Sequence, residues 1–200
     1  AEALDTVRAA KKPVLVWSGI YTDDTMLLAA HASEVWVDPM GGAFITGPGG
    51  VHLYYGRLLE RFKISANVFR VGTFKSAVEP YMRADQSPEA EVAMKALYDE
   101  VWAQWRSDVA KARPKAKLDA LLADAPAAVE AAKGDLAQVS LANGLVDKLG
   151  DRIAFGKYVA AKVGEGREEK IGSFAETRPA ALLAAHSPSR DGSPIGVITI

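Results

Sequence analysis

Short continuous apolar runs separated by amphipathic stretches open the chain, and a mainly helical pattern follows them. Leu4, Val7 and Arg8 begin an amphipathic turn or two that stops at Lys11-Lys12-Pro13, because proline cannot continue a helix. Residues 13–17 form a short apolar run in the style of a buried parallel strand. The polar loop Tyr21-Thr22-Asp23-Asp24-Thr25 then leads into a helix over residues 26–32, with Asp23 or Asp24 as its cap. Residues 34–39 are the next strand, closed by Pro39 and the Gly41-Gly42 pair, and residues 43–46 are another. A turn at Gly47-Pro48-Gly49-Gly50 precedes a helix over residues 53–62, whose apolar side carries Leu58, Leu59 and Phe62. Residues 67–71 read as a further strand that ends in Gly72-Thr73-Phe74-Lys75-Ser76-Ala77. Strands and helices alternating at such short intervals predict βαβ units and a mostly parallel sheet, hence an α/β fold.

From Ser87-Pro88-Glu89 the pattern changes. Serine as cap, proline in the first turn and acids behind it open a long helix that runs to about residue 111. Its apolar positions include Val92, Leu97, Val101, Trp102 and Trp105, which suit a core face better than a ligand box. Helices follow over residues 117–122, 127–132 and 136–143, the last stopped by Asn143-Gly144, and another covers residues 153–163. Residues 177–191 are rich in Ala, Pro, Ser and charge and read as a linker with a helical turn at 180–185. Residues 195–200 then read as a fresh apolar strand with nothing after it to cover its edge. The expected organisation is a first unit over residues 1–176 that opens inside a helix pattern, a linker over 177–193, and the first strand of a second unit over 194–200, all within a longer polypeptide.

With 49% apolar and 24% charged residues, the chain has the composition of an ordinary globular protein. Its 24 basic and 25 acidic side chains leave a net charge of -1, so no basic field exists to hold a nucleic acid. The absence of cysteine removes disulfides, thiolate metal sites and a cysteine nucleophile. His31, His52 and His186 are scattered, without metal-ligand spacing and without the setting of a Ser-His-Asp triad. No apolar run approaches the ~20 residues of a membrane-spanning helix. Taken alone, Gly47-Pro48-Gly49-Gly50 is a plain turn that lacks the Lys-Ser/Thr ending of a phosphate loop. Asp23-Asp24 fit a helix cap, and Lys75 fits a solvated surface lysine.

One segment alters the last of these readings. Val68-Phe69-Arg70-Val71-Gly72-Thr73-Phe74-Lys75-Ser76-Ala77-Val78-Glu79-Pro80-Tyr81 closely resembles the lysine-bearing segment of the signal peptide peptidase A (protease IV) family. Lys12-Pro13-Val14, Val35-Trp36-Val37-Asp38-Pro39-Met40-Gly41, Leu53-Tyr54-Tyr55, Ser87-Pro88 and Leu145-Val146-Asp147 follow the family's order and spacing. The resemblance implies a crotonase-like or Clp-protease-like α/β fold built as two related halves in one polypeptide. It implies that the first half donates a lysine, the second a serine, and that the two meet across an interface in a homo-oligomeric ring. It further implies a bacterial inner-membrane enzyme facing the periplasm, with short apolar peptides such as cleaved signal peptides as substrates and with no cofactor or metal. The resemblance also implies that the serine of the second half lies in a Gly-rich turn. The corresponding turn here, residues 21–25, contains no glycine and no serine, so this half cannot be the nucleophile donor.

Lys75 is then the expected general base of a Ser/Lys dyad. A free lysine, with a pKa near ~10.4, is protonated at neutral pH and cannot accept a serine proton. A dry apolar seam disfavours the ammonium and makes the amine a competent base. Phe69, Val71, Phe74 and Val78 are the expected walls of that seam once the second half docks. Ser76 is a candidate for orienting the amine, although a turn or helix-cap role fits its hydroxyl equally well. Glu79 is expected to point away and serve structure, because an unshielded carboxylate beside the amine would raise its pKa. The oxyanion donors are expected outside this chain. Two other readings compete: a catalytically silent half that only builds the ring, and a crotonase-type acyl-CoA enzyme on the shared superfold. The lysine-bearing segment, which matches the peptidase branch, argues against the second.

Overall fold

Three parallel strands in the order β1-β2-β3 organise the larger part of the chain: β1 (Leu15–Tyr21), β2 (Glu34–Ala43) and β3 (Lys148–Leu149). The computed structural model describes residues 1–168 and 170–186, and the chain divides into two units, Ala1–Asp151 and a second beginning at Arg152. Before β1 lies α1 (Glu2–Ala9), and α2 (Asp23–Ala30) connects β1 to β2 as a parallel crossover. Next come α3 (Gly56–Arg61), a 3-10 turn at Glu79–Tyr81, the long α4 (Pro88–Ala112), α5 (Leu118–Ala123), α6 (Ala125–Ala131) and α7 (Leu136–Ala142). The α/β class with a parallel sheet is as the pattern predicted. Among the described helices none is long and apolar enough to cross a membrane.

β2 absorbs both strands expected over residues 34–39 and 43–46, with Pro39 inside it. The pairing shows how. Ser18 lies opposite Val37 and Ile20 opposite Gly42, so two steps on β1 match five on β2. The extra residues bulge outward, where a proline without an N–H costs no ladder bond. Asp38 Oδ1 accepts the Met40 N–H at 2.9 Å inside the bulge, and Met40 is left 97% exposed.

The core is formed by Tyr21, Met26, Ala29, Ala30, Val35 and Val37 from the first βαβ unit, covered by Trp105 and Val109 of α4 and by Leu118, Leu121, Ala137, Val139, Leu145 and Val146. Two polar contacts, one buried and one partly buried, help to fix its registration. The Trp105 indole N–H donates to the Asp23 carbonyl at 2.8 Å, and the Tyr21 hydroxyl donates to the Trp36 carbonyl at 2.7 Å. Leu145-Val146-Asp147, singled out in the sequence, delivers β3. Asp147 Oδ2 accepts the Val35 N–H at 2.7 Å, and its Oδ1 accepts from Arg113 at 2.6 Å, so one carboxylate ties β2, β3 and the end of α4 together.

Two local expectations are corrected. Thr22, not Asp23 or Asp24, caps α2: its N–H donates to Thr25 Oγ1 at 2.7 Å. Residues 67–71 do not pair as a strand; Phe69 and Val71 are 97% and 90% exposed there. Their composition favours a strand, but such propensity yields to tertiary context: the place beside β2 goes to β3, and this stretch pairs with neither edge of the sheet. The second unit holds α8 (Arg152–Val163) and α9 (Pro179–Ala185), the latter at the helical turn read within the linker. The strand expected at residues 195–200 and the end of the expected linker lie outside the described residues.

Candidate active site

The lysine-bearing segment leaves the unpaired stretch 67–71 and turns sharply before the 3-10 turn. Gly72 has φ +105°, a left-handed conformation that a side chain rarely adopts, and this lets the chain reverse in front of Lys75. Two backbone bonds close the following turn: Ser76 N–H to the Phe74 carbonyl at 3.1 Å, and Glu79 N–H to the Ser76 carbonyl at 2.9 Å. The backbone of Ser76 thus builds the turn, and its side chain is half-buried. Lys75 is exposed, and an open cleft of about 580 Å³ is lined by Phe69, Arg70, Val71, Phe74, Lys75 and Val78 among others. Phe74 is 64% exposed, so with Phe69 and Val71 it gives the lysine an apolar collar facing solvent. Val78 is half-buried.

Glu79 behaves differently. It is 1% exposed, and its carboxylate accepts from the Ser87 hydroxyl at 2.5 Å and the Ser87 N–H at 3.1 Å. Ser87 Oγ in turn accepts the Ala90 N–H at 3.2 Å, capping α4 as its position before Pro88 predicted. Glu79 is therefore turned to the start of α4, in a structural role. Arg70 was not singled out from sequence. Its guanidinium donates to the Lys75 carbonyl at 2.9 Å and lies 3.5 Å from Glu79 Oε1. Leu53-Tyr54-Tyr55 meet the same region: Tyr55 N–H donates to the Pro80 carbonyl at 2.6 Å, Gly56 N–H donates to the Arg83 carbonyl at 3.0 Å, and the Tyr55 and Tyr81 rings stack at 6.2 Å.

The Ser87 hydroxyl holds the Glu79 carboxyl below the usual carboxylate range; desolvation opposes it, while the Ser87 N–H, Arg70 and Arg83 reinforce it. A carboxyl depressed in the fold adds stability above its unfolded value, and that contribution is lost as pH falls through the folded value. Stability should therefore decline as the pH drops below the ordinary glutamate value of 4.5. A Glu79→Gln variant, less stable at neutral pH, should converge on the parent in that acid range. Thermal unfolding at a series of pH values checks this, and two parallel curves would contradict it.

Two of the remaining sequence candidates, Asp23 and His31, have structural partners. The Asp23 carboxylate accepts from Thr46 Oγ1 at 3.1 Å and from the Gly47 N–H at 3.2 Å, which anchors the Gly-rich turn to the start of α2. His31 Nδ1 lies 2.9 Å from Asp5, whose carboxyl is held low mainly by that hydrogen bond. The buried His31 Nε2 meets no hydrogen-bond partner among the described residues, so this pair has no hydroxyl to activate.

Comparison with known proteins bears on the whole of this segment. The model of peptidase family S49 matches residues 6–164. The chain belongs to peptidase family S49. The S49 chain is also 32% identical over 171 residues to Protease 4 of Haemophilus influenzae and 33% identical over 171 residues to Protease 4 of Salmonella typhi. Each comparison covers 84% of this chain and 28% of the relative, so the S49 chain spans somewhat over a quarter of the length of these proteases. Lys75, Arg70, Glu79 and Ser87 all fall inside the region that the family model matches.

Proposed function

We propose that this chain supplies the general base, Lys75, of a Ser/Lys-dyad peptidase whose serine lies outside these 200 residues. The neutral amine takes the proton of the serine hydroxyl as the oxygen attacks the scissile carbonyl, and it returns that proton to the departing amine. Water then cleaves the acyl-serine ester by the same route, the amine again accepting and passing on the proton. The substrates in this reading are short apolar peptides such as cleaved signal peptides, met at the periplasmic face of a bacterial inner membrane by a homo-oligomeric ring.

The observation that carries the reading is the collar. An amine at a sharp turn, ringed by the exposed apolar side chains of Phe69, Val71 and Phe74, needs only a covering surface to be withdrawn from water. Such withdrawal disfavours the ammonium and produces a base that works at neutral pH. Membership of a peptidase family supports the reaction class. In the full-length protein, Lys75→Met should abolish peptide hydrolysis while leaving the oligomeric state unchanged. Retained hydrolysis would remove the lysine from the mechanism and leave this half as scaffold.

A further inference from the structure

Arg70 and Glu79 take no part in the proton transfer above, yet they form a continuous connection from a rigid element to the Lys75 loop. Residues 70–78 belong to no strand or helix, and most of their side chains are exposed. Packing therefore does little to fix where Lys75 leaves the backbone. Besides the short turn at Ser76, the anchor of this loop among the described residues is the Arg70 guanidinium, 2.9 Å from the Lys75 carbonyl oxygen. That guanidinium is 3.5 Å from the Glu79 carboxylate, whose side chain is 2% exposed. Glu79 is in turn clamped by the N–H and hydroxyl of Ser87, the residue that caps the 25-residue helix α4. Hydrogen bonds to ionised groups are the stronger and more directional kind.

We infer that Glu79, acting through Arg70, is a positioning residue that transmits the placement of α4 to the backbone of Lys75. The inference rests on Lys75 being the base. Its chemical sense is geometric: an amine that must meet a serine hydroxyl from another part of the molecule needs a fixed point of departure, and a misplacement of about 1 Å costs about 100-fold. A carboxylate committed to Ser87 and Arg70 also serves this end without contributing a proton-transfer step of its own.

The test compares Arg70→Gln, Glu79→Gln, the double variant and Lys75→Met in the full-length protein, with a fluorogenic peptide as substrate. Rates are normalised to the folded fraction read by circular dichroism. Each single variant should lower kcat about 10- to 100-fold with KM nearly unchanged, since the affected group acts on the reacting geometry. The double variant should lose no more than the worse single one, because both changes cut the same connection. A purely structural role would lower the unfolding temperature but leave kcat per folded molecule intact. Arg70→Gln changes a side chain that is 37% exposed, so it remains informative even if Glu79→Gln fails to fold. Full kcat in Arg70→Gln with an inactive Lys75→Met overturns the positioning role alone. Multiplying losses in the double variant overturn it too, and an active Lys75→Met removes the base together with the inference.

Discussion

Lys75→Arg should lose about 100- to 10,000-fold in kcat, the usual contribution of a general base, although it keeps both length and positive charge. This substitution asks a sharper question than removal of the side chain. Arginine retains its proton throughout the accessible pH range, so it can hold an anion or fill the same space but cannot accept a serine proton. If Lys75 acted as a fixed cation or as a packing element, Lys75→Arg would keep most of the activity. If it acts as the base, Lys75→Arg and Lys75→Met should be equally inactive, with the assembly of both unchanged by size-exclusion chromatography. The collar of Phe69, Val71 and Phe74 strengthens the distinction, because a cation that stays charged is a poor occupant of a seam that closes on apolar side chains. Hydrolysis by Lys75→Arg within a few-fold of the parent would end the proton-transfer role.

The largest expected effect on stability lies elsewhere, at the crossing of β1 and β2. A Cβ added at Gly41 would sit 1.6 Å from the Gly19 carbonyl oxygen and 2.8 Å from its carbon. Both atoms are backbone within the paired strands, so no side-chain rotation relieves the clash. The strands would have to part where the ladder resumes after the bulge, between the Ser18–Val37 and Ile20–Gly42 pairs. Gly41→Ala should therefore cost about 3 kcal/mol or more, at the upper end of overpacking. Gly19→Ala is the matched control, because its added methyl meets nothing within 4 Å. It should stay within about 1 kcal/mol of the parent. Urea unfolding followed by tryptophan fluorescence ranks the two, and a control as damaging as Gly41→Ala would mean that strand propensity, not the close approach, governs this site.

Local chemistry was sufficient to read much of this protein. Ser87-Pro88-Glu89 announced the long helix because cap, proline and acids act within one turn, and the structure starts α4 there. Asn143-Gly144 ended α7 for the same kind of reason, and the apolar runs at residues 13–17 and 34–39 seeded the first two strands. The segment around Lys75 was legible as a motif, which pointed to a candidate base and to the family that the chain belongs to. The turning away of Glu79 was expected from the base role given to Lys75, since a carboxylate beside the amine would raise its pKa, and the carboxylate does turn to Ser87.

Long-range pairing decided the rest. Residues 67–71 have the composition of a strand, but composition alone pairs nothing, and beside β2 the sheet takes Lys148–Leu149, which the chain reaches only much later. Thr22 displaced Asp23 as the cap because Asp23 is drawn to Thr46 and Gly47, residues that the turn after β2 brings back to it. Arg70 could not be chosen from sequence for a different reason. It stands between the Lys75 carbonyl and a carboxylate anchored on α4, and although these residues are near in sequence they lie in irregular chain, where no helix or strand period says which side chains meet. The sequence by itself determined which groups are able to do chemistry and where helices begin, because those depend on near neighbours. Only the tertiary structure decided which groups are held, by what, and facing where, because those depend on partners the chain must travel to reach.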